Sequence, residues 1–104
     1  MNPHVHSALQ RAISRCFKPA VAEVRSAGHK RWASATFSGA RHHYTVCLSG
    51  EAANDVADKA TAALIREDFA IAGHIVADLA VTGRRAGQSG TVEIELEALT
   101  VEAA

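Results

Sequence analysis

Six histidines, eleven acidic residues and two cysteines are the groups in this 104-residue chain that could carry chemistry. His43, His74 and Asp78 are the candidates for acid–base work, because each falls where polar residues alternate with apolar ones, and imidazole is the side chain suited to moving a proton near neutral pH. Metal binding is poorly served by the spacing. His42 and His43 are neighbours, so in a strand they face opposite ways. His74 and Asp78, like His43 and Cys47, are four residues apart, about 13 Å along a strand at ~3.3 Å per residue. Zinc ligands must instead converge within about 2 Å of the ion. A site would need His43 or Cys47 beside His74 on a neighbouring strand, which periodicity does not show. No metal and no cofactor is assigned, and no G-x-S-x-G nucleophile elbow occurs.

Two further groups could take a charged ligand. Arg84 and Arg85 lie in the glycine-rich stretch Gly83–Gly90, where freed backbone amides and guanidinium groups could hold an anion. That stretch matches neither G-x-G-x-x-G nor the P-loop, and reads as a turn between two strands. Lys30, Arg31, Trp32 and Arg41 belong to a basic segment, 25–43, with aromatic residues between the charges. Single-stranded nucleic acid binds such surfaces by stacking over a cationic groove. Phe37 and Tyr44 fit inward positions, which leaves Trp32 as the ring to present.

The elements that must position these residues follow from periodicity. From His74 to Val101 the chain reads as two strands joined by the Gly83–Gly90 turn. Ile75, Ala77, Leu79 and Val81 take one face of the first, opposite His74, Asp78 and Thr82. Val92, Ile94 and Leu96 alternate with Glu93, Glu95 and Glu97 in the second, the period of two of a half-buried sheet. Beyond Glu97 the phase changes: Leu99 and Val101 take the glutamate phase. A bulge, or an apolar segment turned toward a partner chain, accounts for this, and Leu99 and Val101 are the candidates for self-association.

Upstream, Asn2-Pro3 suits a helix start, and Val5, Leu9, Ala12, Ile13, Cys16 and Phe17 form one apolar stripe. Residues 19–27 fit either a short strand, Ala20–Arg25, or a helix kinked at Pro19; the cost of an internal proline favours the strand. A hairpin follows, Arg31–Ser38 and His43–Leu48, turning at Gly39–Arg41, with Gly28-His29 as an earlier turn. Ser49 is placed to cap a second helix running to about residue 68, with Ala53, Val56, Ala57, Ala60, Ala63 and Leu64 on its buried side. The expected fold is therefore α+β. Two helices pack on one face of a mainly antiparallel four- or five-stranded sheet, in the order α-(β)-β-β-α-β-β, as a two-layer sandwich over a single domain, 1–104.

Composition bounds the function. Val, Leu, Ile and Phe make only 23 residues against 22 alanines, so the core is thin for a small domain and a homodimer burying a second apolar face is expected. Residues 1–50 carry seven basic and one acidic side chains, residues 51–104 four and ten. The halves cancel, and zero net charge argues against nucleic acid as the partner. No apolar run is long enough for a membrane span and no signal-peptide pattern opens the chain. Two cysteines without metal spacing suit reduced thiols in the cytoplasm, and abundant Ala with Arg over Lys suits a bacterial genome. The function expected is a self-associating binding or structural module. The alternatives are a small enzyme or small-ligand binder using histidines and acids on the open sheet face, and a weak nucleic-acid binder through the basic 25–43 segment.

Overall fold

The computed structural model describes residues 3–18 and 21–103. Helix α1 (Pro3–Cys16) leads into strand β1 (Val21–Ala33), β2 (Ser38–Ser49), helix α2 (Ala53–Arg66), β3 (His74–Ala86), a short 3₁₀ turn (Gln88–Gly90) and β4 (Val92–Glu102). The four strands form one antiparallel sheet in the order β1-β2-β4-β3, and both helices pack on one face of it. This is the two-layer α+β sandwich that the alternating and helical periods imply. The Asn2 cap, Pro19 and the Ala20 strand start lie outside the described residues.

The core lies between the layers. Leu9, Ile13 and Phe17 of α1 and Ala53, Ala57, Ala60 and Leu64 of α2 close over Tyr44, Val46 and Leu48 of β2 and Val92, Ile94, Leu96 and Ala98 of β4. The alanines of α2 let its backbone lie close to the sheet, while Ala63, expected inside, is exposed. The central strands β2 and β4 pair without interruption from Gly39↔Val101 to Leu48↔Val92. The change of phase at Leu99 is thus not a bulge: Ala98 and Thr100 continue the buried side, and Leu99 and Val101 stay on the face that carries the glutamates.

The irregularities fall instead on the edge strands. β1 is bulged between Ser26 and His29, and β3 between Val76 and Asp78 and again between Val81 and Gly83. Gly28, with φ +104°, lies in a bulge of one continuous strand rather than in a turn. The β1–β2 turn is at residues 34–37, closed by the Ser34 amide donating to the Phe37 carbonyl (2.7 Å) and by Ser34 Oγ accepting from the Phe37 amide (3.0 Å). Gly39–Arg41 are strand residues, and Phe37, expected inward, is 58% exposed at the turn. In β3 the extra residue at Ala77 reverses the alternation. Val76, Leu79 and Val81 pack toward the core, and Ile75 is left 58% exposed. Bulges that twist an edge away from pairing protect it from sheet extension.

Two ends also differ from expectation. β3 continues to Ala86, so Gly83–Ala86 is strand and the connection is confined to residues 87–91, tied by the Gly87 amide to the Thr91 carbonyl (2.8 Å). Helix α2 begins at Ala53 with Ala52 at its N-cap and no side-chain cap, because Ser49 still belongs to β2. Strands of 11–13 residues are about 40 Å long and 14-residue helices about 21 Å. The sheet therefore overshoots its helices, in a molecule 47 × 21 × 19 Å.

Candidate functional site: an open sheet face and a buried histidine chain

Register assigns every strand residue to a face. Cross-strand partners share a face, so the residues beside Arg41, His43, Thr45 and Cys47 of β2 make up the side of the sheet away from the helices. Among the described residues nothing packs on that side. At its hairpin end, one row crosses all four strands as Trp32↔Gly39↔Val101↔Ile75. The next row is Lys30↔Arg41↔Leu99↔Asp78. Two apolar positions, Leu99 and Val101, thus sit with Trp32 and Ile75 in one uncovered patch. The Trp32 ring lies across Gly39: a Cβ there would overlap the Thr100 carbonyl oxygen and stand 3.1 Å from the indole. Trp32 Nε1 is buried with no hydrogen-bond partner.

Further along, charge takes over. Arg41 reaches Glu97 (3.0 Å), Arg85 reaches Glu93 (2.9 Å) and Arg25 reaches Glu23 (3.1 Å), all largely exposed. Such pairs contribute little to stability. Lys30 and Asp78 form no ion pair among the described residues. Basic side chains dominate the β1–β2 half of the face and the three glutamates of β4 the other half. A shallow hollow of about 250 Å³ lies mid-face beside Ala27, His43, Thr45, Thr82 and Glu95.

The residues singled out in the sequence are dispersed. His43 aligns through Glu97 with Ala80, six residues from His74, roughly 20 Å along the strand. The bulge at Ala77 also puts His74 and Asp78 on opposite faces: His74 pairs with Glu102 on the helix side, Asp78 with Leu99 on the open side. His74 Nδ1 contacts the Ala72 carbonyl (3.1 Å). Arg84 points to α2, donating to Asp58 (2.6 Å) and Asn54, while Arg85 faces Glu93. Both arginines are held by protein partners. Arg31 lies on the helix side, 3.9 Å from Glu102, and is separated by the sheet from Lys30, Trp32 and Arg41. Glu102 accepts from Ser38 Oγ (2.7 Å), which holds its carboxyl below the usual range. Cys16 and Cys47 are free thiols on opposite sides of the sheet. Among the described residues no group of three or more His, Cys, Asp or Glu is placed to hold a metal.

A second constellation lies under α1, and the sequence reading did not find it. His6 and His42 are buried and meet Nδ1 to Nδ1 at 2.9 Å. His6 Nε2 contacts Ser26 Oγ (2.7 Å), and His42 Nε2 contacts Thr100 Oγ1 (2.8 Å). Thr100 in turn donates to the Ala40 carbonyl (3.4 Å). One direction of the chain starts from Thr100 as donor to Ala40. In that direction Thr100 accepts from His42 Nε2–H, and His42 Nδ1 is an acceptor. His6 Nδ1–H donates to it, and His6 Nε2 accepts from the Ser26 hydroxyl. Tyr44 stacks on His6 (4.7 Å) and donates its hydroxyl to the His6 carbonyl (2.8 Å); burial raises that hydroxyl's pKa. The His29 ring lies 4.4 Å from that of His6, tilted by 36°.

Burial, and then the neighbouring histidines, lower the pKa of His42 to about 4; burial with His29 and His43 lowers His6 in the same direction. Both rings are neutral at pH 7, as the directed chain requires. The signals were in the sequence. His6 falls three residues before Leu9, on the α1 stripe, and His42 shares the parity of Tyr44, Val46 and Leu48. Comparison with protein-family models and with curated proteins finds no match for the chain.

Proposed function

We propose that the chain is a self-associating structural or binding module, and that its open sheet face closes on a second copy of itself. The observation that carries this reading is the row Trp32↔Gly39↔Val101↔Ile75 on a face that no helix covers. Four strands about 40 Å long and ~4.8 Å apart present roughly 760 Å², close to the ~800 Å² per partner of a standard interface.

Charge selects the geometry. Sheets stack with strands nearly aligned, so a closed two-fold dimer has its axis either across the strands or along them. An axis across the strands sets β4 antiparallel on the partner's β4, with Glu97 of the middle row facing its own copy. An axis along the strands exchanges the halves. It sets Trp32 over the partner's Ile75, Lys30 over the partner's Asp78, and Glu23, at the end of the row Glu23↔Cys47↔Glu93↔Arg85, over the partner's Arg85. Every outer position of three rows then meets its complement, and β2 lies over the partner's acidic β4. The free thiols support a cytoplasmic setting, and no helix among the described residues is long and apolar enough to cross a membrane.

Native mass spectrometry of the untagged protein at tens of micromolar tests the reading. A dimer is expected; a monomer throughout that range contradicts it. The hollow beside His43 and Glu95 favours a second reading, a small ligand held on the same face. A reproducible added mass in the same spectrum would bring that reading forward.

A further inference from the structure

We propose that Ser26, His6 and His42 form a nucleophile, a general base and a positioning residue able to take an acyl group from a small ester. Activation of a serine requires a base within hydrogen-bond reach and a third group that holds the base in one tautomer. Ser26 Oγ lies 2.7 Å from His6 Nε2, and His6 Nδ1 lies 2.9 Å from His42 Nδ1. With the chain running from His6 through His42 and Thr100 to Ala40, His6 Nε2 is unprotonated and faces the serine hydroxyl. His42 thus does for His6 what a buried carboxylate does in a Ser-His-Asp triad: it accepts the Nδ1 proton.

The surroundings fit an acyl acceptor. His6 is buried, but Ser26 belongs to an exposed stretch of β1, so the base is shielded and the nucleophile accessible. The bulge after Ser26 takes Ala27 and Gly28 out of the β1–β2 ladder. The Gly28 amide donates to Ser26 Oγ (3.2 Å) and is a donor at hand for the oxygen of a carbonyl under attack. A groove of about 380 Å³ runs between α1 and β1, lined by Ser7, Gln10, Arg11, Ser14 and Val24. Ser7 follows His6 in α1, and Val24 shares the face of Ser26 in β1. Arg11 in that groove suits an ester with an anionic end.

In the proposed step the Ser26 Oγ–acyl carbon bond forms while the hydroxyl proton passes to His6 Nε2. The bond from the acyl carbon to the leaving oxygen breaks, and His6 returns the proton to that oxygen. Water then attacks the acyl-serine by the same route, releasing a carboxylic acid and restoring Ser26.

A fluorophosphonate tests this without knowledge of the substrate, since it phosphonylates an activated serine and releases fluoride. Intact-mass and peptide analysis of the native protein is expected to find one adduct, on Ser26, absent from S26A. General-base assistance is worth about 10²–10⁴-fold, so H6Q is expected to label at least about 100-fold more slowly. H42N, whose amide oxygen can still accept from His6 Nδ1, is expected to retain labelling, and H42L, with no acceptor, to lose it. S26A removes the hydroxyl that meets His6 Nε2 and the Gly28 amide, and circular dichroism checks that it folds. No adduct at Ser26, or labelling equally fast in urea-unfolded protein, would overturn the assignment. So would H42N and H42L behaving alike while both fold. This inference is independent of the dimer.

Discussion

A buried histidine pair is stable only while one ring nitrogen stays bare. A further proton, on His42 Nδ1, would set N–H against the His6 Nδ1–H at 2.9 Å, with no lone pair between them. The folded state therefore binds the His42 proton only near pH 4, whereas the unfolded chain binds it near 6.5. Because the unfolded state holds more protons between those values, stability rises with pH across that window. It is complete above about 6.5 and lost progressively toward 4, by about 3 kcal/mol for a difference of that size. Urea titrations at pH 7.5, 5.5 and 4 are expected to show a falling midpoint, and H42Q a flatter profile. A second prediction belongs to Gly39. An added Cβ has no room beside the Thr100 carbonyl, and a misfit of this kind costs about 1–3 kcal/mol. G39A is expected to lower the melting temperature by several degrees, by calorimetry.

At the scale of elements, period and packing explain what could be read from the chain. The alternations of β2 and β4 run unbroken because these strands are central, paired on both sides, and face a core on one side only. Tyr44, Val46 and Leu48 and Val92, Ile94 and Leu96 were legible for that reason. The edge strands were not. An extra residue at Ala77 or near Gly28 shifts parity without any signal in hydrophobicity, which sent Ile75 to the wrong face and made Gly28 look like a turn. The candidate site suffered similarly. His74 and Asp78 share a parity in the sequence but not in the sheet, and His6 and His42 were passed over because two polar residues bond each other across 36 positions. Helix α2 shows what Ser49 does not do: the N-cap is Ala52, without a side-chain bond. A52S or A52D is expected to stabilise the fold by about 0.5–1 kcal/mol, measured by denaturant unfolding.

The whole molecule is a thin sheet with helices on one side. Large apolar side chains are few, and some of them, Trp32, Ile75, Leu99 and Val101, are spent on the side without helices. The division of charge between the chain's halves becomes, in the fold, a division across that face: β1 and β2 basic, β4 acidic. Within one copy it is answered by exposed ion pairs such as Arg41–Glu97; between copies it would set register and orientation. The most direct test of the face-to-face pairing is sedimentation equilibrium on K30D, D78K and the double variant K30D/D78K, with circular dichroism to confirm that each folds. If Lys30 of one copy meets Asp78 of the other, each single reversal creates two like-charge contacts and weakens the dimer about tenfold, while the double variant recovers the wild-type affinity. A dimer indifferent to K30D, or a double variant weaker than either single one, would contradict the pairing.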